Sequence, residues 1–242
     1  MTTVKILALN GGPHRAGNTV TLMRWVVDGC LAAGASVEWM HVIDHDIGYC
    51  QGCMRCLRAG ACPLKDDLAL VREKLLASDG IVVGAPVYEG YPPAQMKTLM
   101  DRLTLLNLYT RTFARQKTVG VATSGVAPTR GVARSLADFF GQRVAILGAK
   151  TTSIERGYTR LSETGNERLR AQAAAIGRRL VEEIRVPRRR WLPTPIEIWF
   201  RLFLWPHVVR PLVTGHPDQF AGVIRIWTEE GLFNSPSLEG VP

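Results

Sequence analysis

Apolar residues come in short runs separated by polar, glycine-rich joints, and the runs alternate between two periods. Val4 to Leu9 is almost continuously apolar and is closed by Asn10, Gly11, Gly12 and Pro13, which reads as a buried strand ending in a loop. Between Asn18 and Ala33 the apolar positions Val20, Met23, Val26, Val27 and Leu31 recur at helical spacing, and Gly34 closes the helix. Ser36 to Val42 reads as a second strand, and Asp66-Asp67 opens a helix that runs to about Ala77. Gly80 to Ala85 is a third strand whose unbroken apolar run predicts burial on both faces. A helix from about Pro93 to Leu108, a strand over Thr118–Thr123, a helix over Gly131–Gly141, a strand over Val144–Gly148 and a long helix over Glu163–Glu183 complete the series.

Five strands interleaved with helices predict a parallel sheet covered on both sides. Right-handed crossovers then lead to a doubly wound α/β fold. In such sheets a ligand sits beyond the carboxyl ends of the strands, where the strand order reverses. Three unusual loops fall at that edge: Asn10–Thr19, Pro86–Pro93 and Thr123–Gly131. The first has glycines that admit close backbone approach, and it leads into a helix N-terminus, an arrangement suited to phosphate. Asn18 or Thr19 is expected to cap that helix or bond phosphate oxygens, and Arg15 to add charge. Neither the dinucleotide fingerprint nor a P-loop is present, so the phosphate should belong to a mononucleotide. A plain glycine-rich turn is the other reading, with His14 an ordinary surface residue. The second loop places Tyr88 among Pro86, Val87, Glu89 and Gly90, where it could face a planar ring or simply cap a turn. Lys97 and Asp101 have the spacing of a helical ion pair. The third loop supplies the hydroxyls of Thr123 and Ser124 and a flexible Gly125.

Cys50, Cys53, Cys56 and Cys62 stand in the spacing C-x2-C-x2-C-x5-C. Two-residue gaps let a turning backbone aim successive sulfurs at one point, as an iron–sulfur cluster with four cysteine ligands requires. The last gap is longer than that of bacterial ferredoxins. Zinc is the rival metal, although structural zinc usually draws on two separated pairs. A disulfide or free thiols are the remaining readings. The fifth cysteine, Cys30, lies in an apolar helical pattern and is expected in the core.

Length and charge narrow the setting. At 242 residues the chain should form one large domain with an appendage, residues 1–185 and 186–242. No stretch approaches the roughly 18 uninterrupted apolar residues of a membrane span. The N-terminus lacks the pattern of a secretory leader, and the cysteine usage fits a reducing compartment, so a cytoplasmic location is expected. The net charge of +9 suits phosphate-bearing ligands or anionic partners, and no block of like charge marks a nucleic-acid arm.

Together these motifs resemble the NAD(P)H-dependent FMN reductase superfamily, and within it the iron–sulfur flavoproteins. Gly12, Pro13, His14, Arg15, Ala16, Gly17, Asn18 and Thr19 resemble the family's phosphate loop, with His14 where the family often has Arg. The cysteine run followed by Pro63 to Asp67 is the second motif. The third is Ala85, Pro86, Val87, Tyr88, Glu89 and Gly90, continuing to Gln95–Lys97 and Asp101-Arg102, like the segment that borders the isoalloxazine ring. The resemblance covers residues 4–185. It implies a flavodoxin-like fold with strand order 2-1-3-4-5, FMN as cofactor, a [4Fe–4S] cluster on the four cysteines, and hydride transfer from NAD(P)H to FMN N5 followed by one-electron steps to an acceptor. It also implies a homodimer or dimer of dimers. No side chain is required as acid, base or nucleophile, and no catalytic residue is assigned.

Past Val186-Pro187 the pattern changes. Trp191, Trp199, Trp205 and Trp227 and several prolines crowd the tail, and Pro195–Trp205 reads as a short apolar helix broken by Pro206. So aromatic a segment must cover something: the core, a partner subunit, a membrane surface, a docking electron-transfer partner or the flavin itself.

Overall fold

Residues 3–153, 157–162, 164–186 and 199–231 are described by the structure, a computed structural model. Strand β1 (Lys5–Asn10) is buried from Ile6 onward and lies between β2 (Ser36–His41) and β3 (Gly80–Pro86). Strands β4 (Lys117–Ser124) and β5 (Gln142–Lys150) extend the sheet, giving the order β2-β1-β3-β4-β5. Every neighbouring pair in this sheet is parallel. The chain turns outward in opposite directions from β1 and β3, so the reversal in strand order lies between them. Six of the seven residues of β3 are fully buried, as its apolar run requires.

Two apolar layers enclose the sheet. On one face Trp25, Val26 and Cys30 of α1 (Asn18–Ala32) meet Ala173, Leu180 and Val181 of α6 (Glu167–Arg185) and the sheet residues Ile6, Ala8 and Val82. The two helices cross backbone to backbone: a Cβ on Gly29 would stand 2.0 Å from the Ala174 carbonyl oxygen, and one on Gly177 1.9 Å from that of Val26. Cys30 sits at this crossing, fully buried, its thiol donating to the Gly177 carbonyl at 3.4 Å and pushed up to about 12 by burial. It is a core residue, as expected. On the opposite face Leu7, Leu9, Ile81 and Val83 pack against α3 (Leu68–Ala77), α4 (Ala94–Thr110) and α5 (Arg130–Phe140).

Some boundaries move for local reasons. The last long helix begins at Glu167, because Gly165 adopts φ 82° in a turn whose amide donates to the Glu167 carboxylate at 2.8 Å. Among the short elements not foreseen are the antiparallel pair β6 (Thr152–Ser153) and β7 (Gly157–Tyr158). Another is α2 (Arg55–Ala59), inside the cysteine run.

The tail corrects an expectation. A wide, π-type helical stretch, α7 (Phe200–Val209), passes through Pro206 and continues directly into α8 (Arg210–Gly215). Proline lacks an N–H and its ring crowds the preceding turn of an α-helix. A wider turn accommodates that ring without ending the helix. The part of the expected helix before Trp199, with Trp191, lies outside the described residues. After α8 comes α9 (Pro217–Glu229). Trp205, Val213, Phe220, Val223 and Trp227 form a third apolar cluster with Leu57 and Leu106. Among the described residues, no helix is long and apolar enough to cross a membrane.

Candidate functional site

The carboxyl ends of β1, β3 and β4 bring the three expected loops together. Gly11 donates its amide to the Gly84 carbonyl at 2.8 Å, and Val87 donates to that of Thr123 at 2.8 Å. The hydroxyls of Thr19 and Thr123, both buried, stand 2.6 Å apart and join the start of α1 to the end of β4.

The organiser of the first loop is Asn10, fully buried at the last position of β1. Its Oδ1 accepts from the Gly12 amide at 2.9 Å, while Nδ2 donates to the His14 carbonyl at 2.9 Å and lies 2.9 Å from His41 Nδ1. A buried amide with every polar atom engaged holds a loop in one shape. The sequence reading took Asn10 only as the start of the loop; the signal was a polar residue ending an otherwise apolar strand. Gly17 precedes α1 with φ 144°, and a Cβ there would meet nothing within 4 Å. The first turn of α1 has amides without intrahelical acceptors and carries no acidic side chain. Such an amide-lined helix start suits a phosphate monoester. Pro13 and His14 lie on the outer side of the loop, with His14 exposed.

The side-chain cap expected of Asn18 or Thr19 is not formed, and Asn18 and Arg15 both have partners in neighbouring segments. No side chain caps α1: Asn18 instead donates Nδ2 to the Thr159 carbonyl at 3.0 Å and accepts from the Leu161 amide at 2.8 Å, fastening the segment after β7. The Arg15 guanidinium turns to Asp44, with Nη2 at 2.7 Å and Nε donating at 2.8 Å, so its charge is engaged outside the loop.

In the second loop Tyr88 and Tyr91 exchange backbone hydrogen bonds at 2.9 Å around Glu89 and Gly90. Glu89 at φ 48° and Gly90 at φ 84° are both left-handed, the pattern of a type I′ turn. Pro86 is half-buried and Val87 anchors in the core, while Tyr88 and Tyr91 are exposed beside the edge. In the third loop Thr123 and Ser124 are buried, and the Ser124 carbonyl accepts from the Thr151 amide and hydroxyl. Tyr158 of β7 lies over Gly125, where an added Cβ would stand 3.3 Å from its ring. Lys97 and Asp101 form the expected ion pair on α4.

The cysteine run leaves the sheet after β2 and returns at α3. Its two ends are zipped: Asp46 and Asp67 exchange hydrogen bonds, and the Gly48 amide donates to Asp66 Oδ2 at 3.0 Å. Cys50, Cys53, Cys56 and Cys62 line one shallow hollow, open to solvent, together with Met54, Asp101 and Arg102. Among the described residues no three His, Cys, Asp or Glu side chains gather tightly enough to hold a single metal ion. Four thiols around one hollow are a donor set chemically suited to a thiophilic metal group.

Two arginines meet the thiols. Arg55 Nε donates to Cys53 Sγ at 3.5 Å, and this bond holds the Cys53 thiol below its ordinary range. Burial, followed by the nearby Cys62, pushes the Cys56 thiol up. Arg102, which the resemblance places beside the flavin ring, belongs here instead. Its side chain is fully buried; Nη1 donates to the Gly48 carbonyl and to Asp66 Oδ2, both at 2.6 Å. Nη2 donates to Asp66 Oδ1 at 3.1 Å and to Cys62 Sγ at 3.4 Å. Arg102 Nε is buried without an acceptor among the described residues. Burial works against the Asp66 carboxylate, but the Arg102 fork and the Gly48 and Leu68 amides hold its carboxyl below the usual range.

Comparison with known proteins agrees with this geometry. The family described as NADPH-dependent FMN reductase matches residues 4–158. An iron-sulfur flavoprotein of Methanocaldococcus jannaschii is 36% identical over 99 residues, which cover 41% of this chain and 51% of that relative. One from Archaeoglobus fulgidus is 34% identical over 123 residues, covering 51% of this chain and 60% of the relative. The chain thus spans a little over half the length of these curated relatives. Among solved structures, a flavone reductase superposes with a TM-score of 0.55 at 20% identity, over 77% of this chain and 65% of its own. An NAD(P)H:quinone oxidoreductase from Methanothermobacter marburgensis gives a TM-score of 0.55 at 18% identity, over 73% of this chain and 98% of its own. At such identities the two structures speak for the fold. With its five-stranded flavodoxin-like sheet and a family match over residues 4–158, the chain belongs to the NADPH-dependent FMN reductase family.

Proposed function

We propose that the chain is an NAD(P)H-dependent FMN oxidoreductase that passes electrons through a [4Fe–4S] cluster to a small-molecule or protein acceptor. The observation that carries the flavin reading is the union of three loops at the reversal of strand order, with an amide-lined helix start after β1. The shared hollow of the four thiols supports the cluster, as do relatives named iron-sulfur flavoproteins.

In this reading Gly12, Pro13, His14, Arg15, Gly17, Asn18 and Thr19 form the loop around the FMN phosphate. Backbone amides do the gripping, Asn10 fixes their direction, and Arg15 and Asn18 act by holding neighbouring segments. Pro86, Val87, Tyr88, Glu89 and Gly90 border the ring on one side, and Thr123, Ser124 and Gly125 on another. Cys50, Cys53, Cys56 and Cys62 ligate the cluster. Bound FMN supplies two-electron acceptance from a pyridine nucleotide, and the cluster supplies single-electron passage. The protein's task is orientation, exclusion of water and charge balance, and no proton-transferring side chain is assigned. Residues 1–185 form the flavin domain and 186–242 an extension to it, and the assembled form is a homodimer or dimer of dimers.

Anaerobically prepared protein mixed with NADPH, and separately with NADH, tests the reading. Bleaching of the flavin band within the turnover time is expected. Persistence of that band with both nucleotides would instead make the protein a carrier between redox partners. A colourless protein with stoichiometric zinc would overturn both the flavin and the cluster.

A further inference from the structure

The five residues of α2 cannot hold themselves in a helix. A first helical turn fixes several dihedrals for one hydrogen bond, so isolated short helices are unstable in water. Here the helix begins after Met54, at φ 54°, and ends at Gly60, at φ 77°. Both flanking residues are left-handed, so the backbone reverses at each end. Cys53 lies just before this turn, Cys56 within it, and Cys62 just after. Whatever steadies α2 therefore fixes the spacing of three of the four thiols.

The tail steadies it. Leu57 is the one buried residue of α2, and Phe220, Val223 and Trp227 of α9 share its apolar cluster with Trp205, Val213 and Leu106. The backbones touch where two glycines face each other: a Cβ on Gly222 would stand 2.0 Å from the Gly60 nitrogen and 2.6 Å from its Cα. Arg225 Nη2 donates to the Ala59 carbonyl at 2.8 Å, satisfying an acceptor that the helix end leaves open. On its other side α9 is fastened to α4, the helix that carries Arg102. Trp227 Nε1 donates to the Tyr109 carbonyl at 2.9 Å, and the Tyr109 and Phe220 rings meet edge-on at 5.2 Å.

We propose that α9 is the outer wall of the cysteine centre, with Gly222 and Arg225 as positioning residues that hold Cys53, Cys56 and Cys62 around the hollow. The inference rests on the cluster reading above and assigns to the tail a function in building and retaining that centre. Outer residues that orient metal ligands typically matter by 10- to 100-fold in affinity.

The test uses full-length Gly222→Val, Arg225→Leu and Arg225→Lys, prepared anaerobically and followed by flavin content, iron and sulfide content, and the decay of cluster absorbance on exposure to air. The wall predicts cluster loss about tenfold faster in Gly222→Val and Arg225→Leu. Flavin content and thermal midpoint should stay unchanged in Arg225→Leu, and Arg225→Lys should restore retention, because an ammonium can still donate to the Ala59 carbonyl. Equal decay in wild type, Gly222→Val and Arg225→Leu would overturn the proposal. Failure of the wild type to take up iron would instead defeat the cluster reading, and amide exchange of metal-free protein then decides the wall. Faster exchange at Gly60, whose amide donates to the Cys56 carbonyl at 2.8 Å, supports it in Arg225→Leu; unchanged exchange refutes it.

Discussion

The sheet edge and the cysteine centre are built by different means. At the edge each loop leaves the end of a strand already fixed by its neighbours, so β1, β3 and β4 deliver Gly12, Pro86 and Thr123 side by side, and side-chain bonds such as Thr19–Thr123 lock a frame already in place. The cysteine centre has no such frame. Its thiols lie on an excursion between β2 and α3 that is drawn into shape by Arg102 of α4 and by α9 in the tail. A site on a rigid scaffold tolerates sequence change nearby. A site stapled from afar depends on a few long-range contacts, and its weakest points lie far from its ligands.

Breaking the staple should have the largest effect. Arg102→Met removes the buried partner of a part-buried pair and leaves the Asp66 carboxylate without its charged hydrogen bonds, which costs about 1.5–3 kcal/mol. Denaturant unfolding of the metal-free protein measures that loss, and flavin binding should survive in the folded fraction. If the flavin is lost in parallel with stability, the two regions are less independent than this comparison holds.

Asn10→Ala attacks the other side. It leaves the Gly12 amide and the His14 carbonyl without their shared partner, at a cost of about 1–3 kcal/mol. FMN affinity, read by fluorescence titration, should fall while iron content per chain stays at the wild-type level. Thr123→Val is milder: it removes one hydroxyl from the Thr19–Thr123 bond and should cost about 1 kcal/mol, with a correspondingly small loss of flavin affinity.

The pH response is smallest near neutrality and sharpens the assignment of Asp66. Its folded pKa is depressed below the ordinary value of 3.8. The stability contributed by its ionised form is therefore complete above that value and is lost as the pH falls through the lower folded pKa. Between pH 7 and 5 the wild type and Asp66→Asn should show parallel unfolding midpoints, and only in stronger acid should the wild type lose stability faster. Convergence of the two already near pH 6 would contradict the depressed carboxyl.

This difference in construction also explains what could be read from the sequence. The five strands and the three loops follow from local apolar runs and glycine-rich joints such as Asn10 to Pro13, whereas the strand order came with the family resemblance. Cys30 was legible as a core residue because its helical neighbours are apolar. Arg102 was not, since a lone arginine on a helix carries no mark of the aspartate 36 residues earlier that pairs with it. The same holds for Arg15, whose partner Asp44 is 29 residues away, and for Asn18, which reaches across to residues 159 and 161. Pro206 misled because proline usually ends an α-helix, while the π-type turn of α7 absorbs it. Gly222 looks like a flaw in a helix until the backbone of Gly60 is seen against it.

The central claim is that one chain carries flavin at its sheet edge and a cluster in its cysteine hollow. Counting flavin, iron and acid-labile sulfide per chain in protein kept free of oxygen throughout tests it most directly. The account predicts one FMN with about four irons and as many sulfides, all four cysteines serving as ligands. Full flavin with neither iron nor sulfide, after reconstitution with both, would contradict it.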